Sequence, residues 1–282
     1  MSRIDVISSF ARYEMRRAIA RRKVLILVGF TILLCTLPYY GLSRIAYRIP
    51  APDYPYIWVT VISFVGPLFL NFTAVLIAAG AMSEEYEQGT AELLLSKPVN
   101  RSDYFIGKFL GGYLLFLAIL GLDVFLSVAS AYATFGVQLS LGLLPGFILA
   151  QSFASLLFYS LAFMLGELMR RSSLAYIFSS ALFFSSFITN IYLELIYTLT
   201  GNGFYRTVQM YLPTSPADSL AQQYILSRLP STILFVLRLV GAGETVASSA
   251  NFNIALILVY TSIGLLIAAV YFTYSDISRK VS

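Results

Sequence analysis

The sequence contains no histidine. That absence removes HExxH zinc sites, Ser-His triads and His-based proton relays in one step. There is one cysteine, Cys35, inside an apolar run. No intrachain disulfide can form, and cysteine usage says nothing about redox compartment. Charge is scarce as well: Asp, Glu, Lys and Arg make up 12% of 282 residues, against about 25% in an average soluble domain. No polar stretch is long enough to hold a separate soluble core. A phosphate-binding loop is also missing. The pattern G-x-x-x-x-G-K-[ST] supplies backbone amides for phosphates and a hydroxyl for magnesium, whereas Gly107-Lys108 is followed by Phe109 and position 102 is Ser. The chain by itself is therefore expected to be no enzyme, with no catalytic residue, no metal and no cofactor of its own. No internal repeat or low-complexity segment interrupts it.

What is present is apolar. Hydrophobic residues are 58% of the chain and the mean hydropathy is +0.78. A soluble fold of this length has no way to hide that much apolar surface, whereas helices in lipid need not hide it. Six segments reach the roughly 20 apolar residues that a span requires: 24–42, 57–82, 109–135, 143–168, 174–200 and 254–274. The expected fold is all-α, a polytopic membrane bundle of six transmembrane helices in a single transmembrane domain, 1–282. Glu167 with Arg170 and Arg171 is expected to close a tight surface turn between the fourth and fifth spans, since arginines inside one continuous span would be costly.

Lys and Arg give the orientation. Seven lie in the basic arm 1–23. Lys97, Arg101 and Lys108 follow the second span, Arg170 and Arg171 the fourth, Arg279 and Lys280 the sixth. The other side holds only Arg44, Arg48, Arg206, Arg228 and Arg238. Both termini are thus expected in the cytoplasm. The net charge of +5 fits this bias. The basic residues do not alternate with aromatics on a polar platform, so no nucleic-acid partner is expected. The charged arm and the long run after it do not fit a cleavable signal peptide. Within the arm, Ile4, Ile7, Phe10 and Tyr13 recur near helical spacing among Arg12, Arg16 and Arg17. This suits either an amphipathic helix in the headgroup plane or a merely basic topogenic arm.

The stretch 201–252 reads as an outer loop with short helices. Ser215 is placed to cap a helix, with Pro216 at its first position and Asp218 in its first turn. Ala217, Leu220, Ala221, Tyr224 and Ile225 form an apolar stripe that Pro230 ends. A second apolar stretch, Thr232 to Val240, is too short to span. Both are expected to rest on or dip into the outer leaflet.

The segment 83–108 between the second and third spans has three parts. Glu84, Glu85 and Glu87 close a span with acids. Gly89 permits a sharp turn. Thr90 can cap a short helix, Ala91 to Ser96, that carries Leu93, Leu94 and Leu95 until Pro98 stops it. Three leucines at a membrane surface call for a protein partner or a lipid surface, or for packing on their own bundle.

The run E-x-x-x-G-T-x-E-L-L-L-S-x-P-V-x-R, from Glu85 to Arg101 and on to Gly107-Lys108, resembles the permease subunits of ABC-2-type ATP-binding-cassette transporters. The basic arm, six spans and long outer loop match that family's layout. The resemblance implies a coupling helix that docks on an ATPase, with the coupling role on Glu85, Gly89, Thr90, Glu92, Leu93, Leu94, Leu95, Pro98 and Arg101. It further implies a separate nucleotide-binding subunit holding ATP and magnesium, a homodimer of this chain, and outward movement of cargo across the plasma membrane. Lipid, drug, polysaccharide, peptide and ion cargoes are all compatible. Two acids inside the spans are candidates for a polar path or for structure: Asp123, with Ser127 as a possible partner, and Glu194. The alternative function is an ATP-independent membrane-embedded interaction or assembly protein. An intramembrane aspartyl protease lacks its paired acids, and an ion-coupled carrier lacks broken-helix pairs.

Overall fold

Backbone amides in lipid find no water, so a spanning segment must satisfy them internally, and an apolar chain does so as helix. A computed structural model describes residues 3–20, 22–44, 51–64, 66–95, 100–228 and 248–274. Among these residues there is no strand. The helices are α1 (Arg3–Ile19), α2 (Arg22–Arg44), α3 (Ile57–Phe64), α4 (Gly66–Gln88), α5 (Thr90–Leu95), α6 (Arg101–Phe135), α7 (Leu144–Met169), α8 (Ser172–Thr200), α9 (Gly203–Tyr211), α10 (Thr214–Leu226) and α11 (Ala250–Tyr274). Six are long and apolar enough to cross a membrane: α2 from Val24, α4, α6, α7 with the short turn at Leu141–Leu143, α8 and α11.

The α4–α7 pair lies at the centre. Their backbones touch closely: a Cβ on Gly166 of α7 would sit 2.7 Å from the Ala79 carbonyl oxygen of α4. Small residues at helix seams are the usual means of close approach in lipid, where dispersion contacts and not water exclusion hold helices together. α6 and α11 pack on this pair, α8 covers another side of α4 and α7, and α2 rests on α6. Exposed apolar side chains line the outer faces of α2, α8 and α11, among them Leu25, Ile188 and Leu266.

Several boundaries differ from the sequence reading. The apolar run 57–82 is two helices, because Gly66-Pro67 starts a new one, proline being at home in a first turn. α3 is instead a buried plug on which Trp58 donates to the Leu139 carbonyl at 2.9 Å. The third long helix begins at Arg101, not 109. Its first two turns carry Asp103 and Lys108, which look like loop residues until their partners are seen. Ser215 is not a cap. Its helix starts at Thr214, whose amide is met by the Ser186 hydroxyl of α8 at 3.2 Å. The stripe Ala217, Leu220, Ala221 and Ile225 is buried, so α10 is an inward element packed on α7 and α11. Pro230 and the stretch Thr232–Val240 lie outside the described residues.

The arm is helical, and one of its faces packs on the bundle. Ala11, Glu14 and Ala18 are its buried positions, and they lie against α6. Gly107 and Gly111 of α6 make the seam. A Cβ on Gly107 would fall 2.5 Å from Phe10 Cβ, and one on Gly111 2.8 Å from the Ala11 carbonyl oxygen. Ile4 is left exposed on the other side.

Candidate functional site

Six of the coupling candidates, Glu85, Gly89, Thr90, Leu93, Leu94 and Arg101, gather at the end of the bundle where α1, α5 and the α7–α8 turn meet, called the basal end below. Its centre is the last turn of α4. There four consecutive side chains between them reach α1, α6, α7 and α8. Glu84 accepts from the Tyr176 hydroxyl of α8 at 2.6 Å. Glu85 accepts from Arg17 of α1 and from Tyr104 of α6, and forms an ion pair with Lys108 of α6. The Tyr86 hydroxyl donates to both oxygens of Glu167 on α7 at 2.8 Å. Glu87 accepts from the backbone amide of Ser172 at 3.2 Å and from its hydroxyl, so a carboxylate meets the positive end of the α8 dipole.

Glu85 is fully buried, as is Lys108. Lys108 Nζ lies 2.5 Å from Glu85 Oε1 and also donates to Glu14 of α1. Arg17 completes the group, bonding Glu85 and, at 3.2 Å, Gln88. Two carboxylates thus face two cations. A buried cluster of this kind is tolerated because each charge is paired and hydrogen-bonded. Arg3 and Asp103 form a further α1–α6 pair at 2.6 Å. The α7–α8 turn is as tight as expected: Arg170 ends α7 with φ 51° and lies over the rings of Tyr86 and Tyr271 at 4.9 and 5.1 Å.

From this clamped turn the chain reverses at Gly89, whose φ of +71° is one that L side chains rarely adopt. Then α5 begins, six residues long. Thr90 is its first helical residue and donates to the Glu85 carbonyl at 3.4 Å. Leu94 is half-buried against the bundle, while Leu93 is 69% exposed. Glu92 and Leu95 belong to α5, with side chains outside the described part of the structure; Pro98 is outside it altogether. Arg101 is exposed and reaches the Thr273 carbonyl of α11 at 3.4 Å. The fold therefore brings Glu85, Gly89, Thr90, Leu93, Leu94 and Arg101 to one end. They split into an inward anchor, Glu85, and an outward tip, Leu93.

Asp123 stands apart. It is buried in α6 and accepts from the Cys35 thiol of α2 at 3.0 Å. Ser127 is buried one turn on, but the hydrogen bond comes from the other helix.

The opposite end carries a second polar group. Asp218 of α10 accepts from Asn71 of α4 at 2.9 Å; Ser155 of α7 donates to Asn71 at 2.8 Å, and Gln151 to Ser155 at 3.0 Å. Loss of water pushes the Asp218 carboxyl up to about 7, although the Asn71 hydrogen bond pulls the other way. Glu194 of α8 is half-buried and, with Asp218, lines a cavity of about 460 Å³. Among the described residues no three His, Cys, Asp or Glu side chains gather to hold a metal ion.

The sequence reading passed over Glu14, Tyr104 and the inward course of Lys108. One signal was there: Gly107 and Gly111 are spaced to put two small residues on one helix face, the pattern of a close helix seam. Across residues 9–277 the chain matches the model of a family described as ABC-2 family transporter protein. No curated protein matches it.

Proposed function

The chain belongs to the ABC-2 transporter family and is an integral membrane permease subunit; from that premise we propose that it moves its cargo outward on ATP hydrolysed by a separate subunit docked at α5. The observation that carries this reading is the placement of α5. It is a short helix with an exposed leucine, Leu93, hung by one glycine turn from the most heavily clamped turn of the bundle. A push on α5 reaches α4 through Gly89. The four side chains Glu84 to Glu87 then pass it to α1, α6, α7 and α8 together. The sequence supplies no phosphate loop, and Gly107 and Lys108 are engaged by α1, which favours a hydrolysing partner. Two copies of the chain, termini in the cytoplasm of the plasma membrane, would present two such helices to a pair of ATPases. Glu85 serves as the inward anchor of the lever, and Glu92, Leu95, Pro98 and Arg101 complete the coupling segment.

Leu93→Asp tests the docking. Burying one leucine in a partner groove is worth about 1.5–3 kcal/mol, and each 1.4 kcal/mol is a factor of about ten in affinity. Co-purification with the partner ATPase should weaken about tenfold or more and transport-coupled ATP turnover should fall, while the bundle stays folded. Leu94→Asp, which places a charge against the core, should instead impair folding. Normal docking and turnover in Leu93→Asp would remove α5 as the docking element.

A further inference from the structure

The cavity between α8, α9 and α10 is more than a gap. At about 460 Å³ it falls in the range of small-molecule sites, about 300–1,000 Å³. Its polar lining is rich in acceptors. Glu194 and Asp218 bring carboxylates, and among the described residues no lysine or arginine lines it. Asn71 engages one oxygen of Asp218, leaving the carboxylate's other lone pairs for a ligand. Two further side chains on this wall are nearly fully buried and lack a partner: Ser215 through Oγ and Gln209 through Oε1. The amide nitrogen of Gln209 is taken by Asn190 at 2.6 Å, which leaves its carbonyl oxygen as the unmet group. Gln209 Oε1 is a buried acceptor without a donor and the Ser215 hydroxyl a buried group with its lone pairs unmet, both costly; beside two acids they suit N–H groups carrying positive charge. Phe187, Ile191 and Leu195 of α8 supply the rest of the lining, an apolar surface next to the acids.

We propose that this cavity binds a primary organic ammonium with an apolar body, the ammonium seated among Glu194, Asp218, Gln209 and Ser215 and the body along α8. A primary ammonium carries three donors and no acceptor, which matches a wall of acceptors. A quaternary ammonium offers no donor to Gln209 and Ser215, and an anion meets two carboxylates with no cation. Whether the bound amine is also cargo rests on the permease reading; its binding does not.

The test uses the full chain in nanodiscs of phosphatidylcholine, which attract no amine by net surface charge. The probe is 4-phenylbutylamine, and 4-phenylbutan-1-ol is the uncharged control of the same shape; empty nanodiscs correct for partition into lipid. Saturation-transfer NMR should show saturable amine binding about tenfold tighter than the alcohol, since hydrogen bonds to charged groups are the strong ones. Glu194→Gln and Asp218→Asn should each weaken the amine about tenfold and leave the alcohol unchanged. Equal binding of amine and alcohol, or amine binding indifferent to both substitutions, would overturn the site. Should Asp218→Asn fail to fold, the half-exposed Glu194→Gln decides alone. Amine binding that survives in a chain whose ATPase docks elsewhere than α5 would overturn the permease mechanism above and leave the site standing.

Discussion

Lys108 is a cation with no exposed surface, held between Glu14 and Glu85. Its removal would leave two buried carboxylates with Arg17 alone. Breaking a buried pair by deleting one partner costs about 3–5 kcal/mol. Lys108→Met should therefore destabilise the purified chain by about that amount in denaturant unfolding. Lys108→Met combined with Glu14→Gln should recover most of the loss, because Arg17 still satisfies Glu85. A single variant as stable as the parent would show that the cluster contributes nothing net. None of this pairing was legible in the sequence. Glu85 lies 68 residues from Arg17 and Lys108 lies 94 from Glu14, so composition saw only an acidic cluster and a basic loop. The motif marked the right place, because Glu85, Gly89 and Leu93 do converge, but it gave no sign that Glu85 points inward while Leu93 points out. For Asp123 the sequence offers a serine one turn along the same helix or an unnamed partner across the bundle. Local spacing suggests such neighbours, whereas the cross-helix thiol of Cys35 depends on how α2 meets α6.

At the scale of elements, the seam between α1 and α6 is set by two glycines. A side chain at Gly111 would meet Glu14 Cβ at 2.7 Å and the Ala11 carbonyl at 2.8 Å, and neither atom is the far end of a flexible chain. Gly111→Leu should lift α1 off α6, cost about 1–3 kcal/mol as other overpacked substitutions do, and open the 1–20 arm to limited proteolysis. A Cβ on Gly121 of the same helix would meet nothing within 4 Å, so Gly121→Leu should leave stability and protease resistance as they were. Equal protease sensitivity in the two variants would contradict the seam. The six long helices were readable from hydropathy because a span needs only length and apolar composition. Their ends were less so. The run 57–82 hides the break before Gly66, since the chain is apolar on both sides of it and hydropathy registers composition, not where one helix ends and the next begins. The start of α6 was placed eight residues late because charges normally mark a span's end, and here they are buried in pairs. The periodicity of α10 suggests a lipid-facing stripe and that of α1 leaves two readings open, because periodicity shows that a face is buried without showing against what.

At the scale of the whole molecule, sidedness decides whether the basal end can meet an ATPase. On the orientation proposed above, that end lies in the cytoplasm and the cavity holding Glu194 and Asp218 on the other side. Cys35 is 2% exposed, so single cysteines can be read against a quiet background. Asn100→Cys in intact cells should resist a membrane-impermeant maleimide, and Phe204→Cys, on the exposed face of α9, should react. The reverse pattern would put α5 outside and end the docking mechanism. The clamped turn of α4 also constrains how the protein is made. Glu85 finds its partners once residue 108 has left the ribosome, but the partners of Tyr86, Glu87 and Glu84 are Glu167, Ser172 and Tyr176. Until the start of α8 is synthesised, Glu84 and Glu87 at the end of the second span remain unmatched, although Glu85 and Tyr86 can already meet their partners. The nascent chain must therefore wait, four helices inserted and one junction unmade, for its fifth span to complete the second.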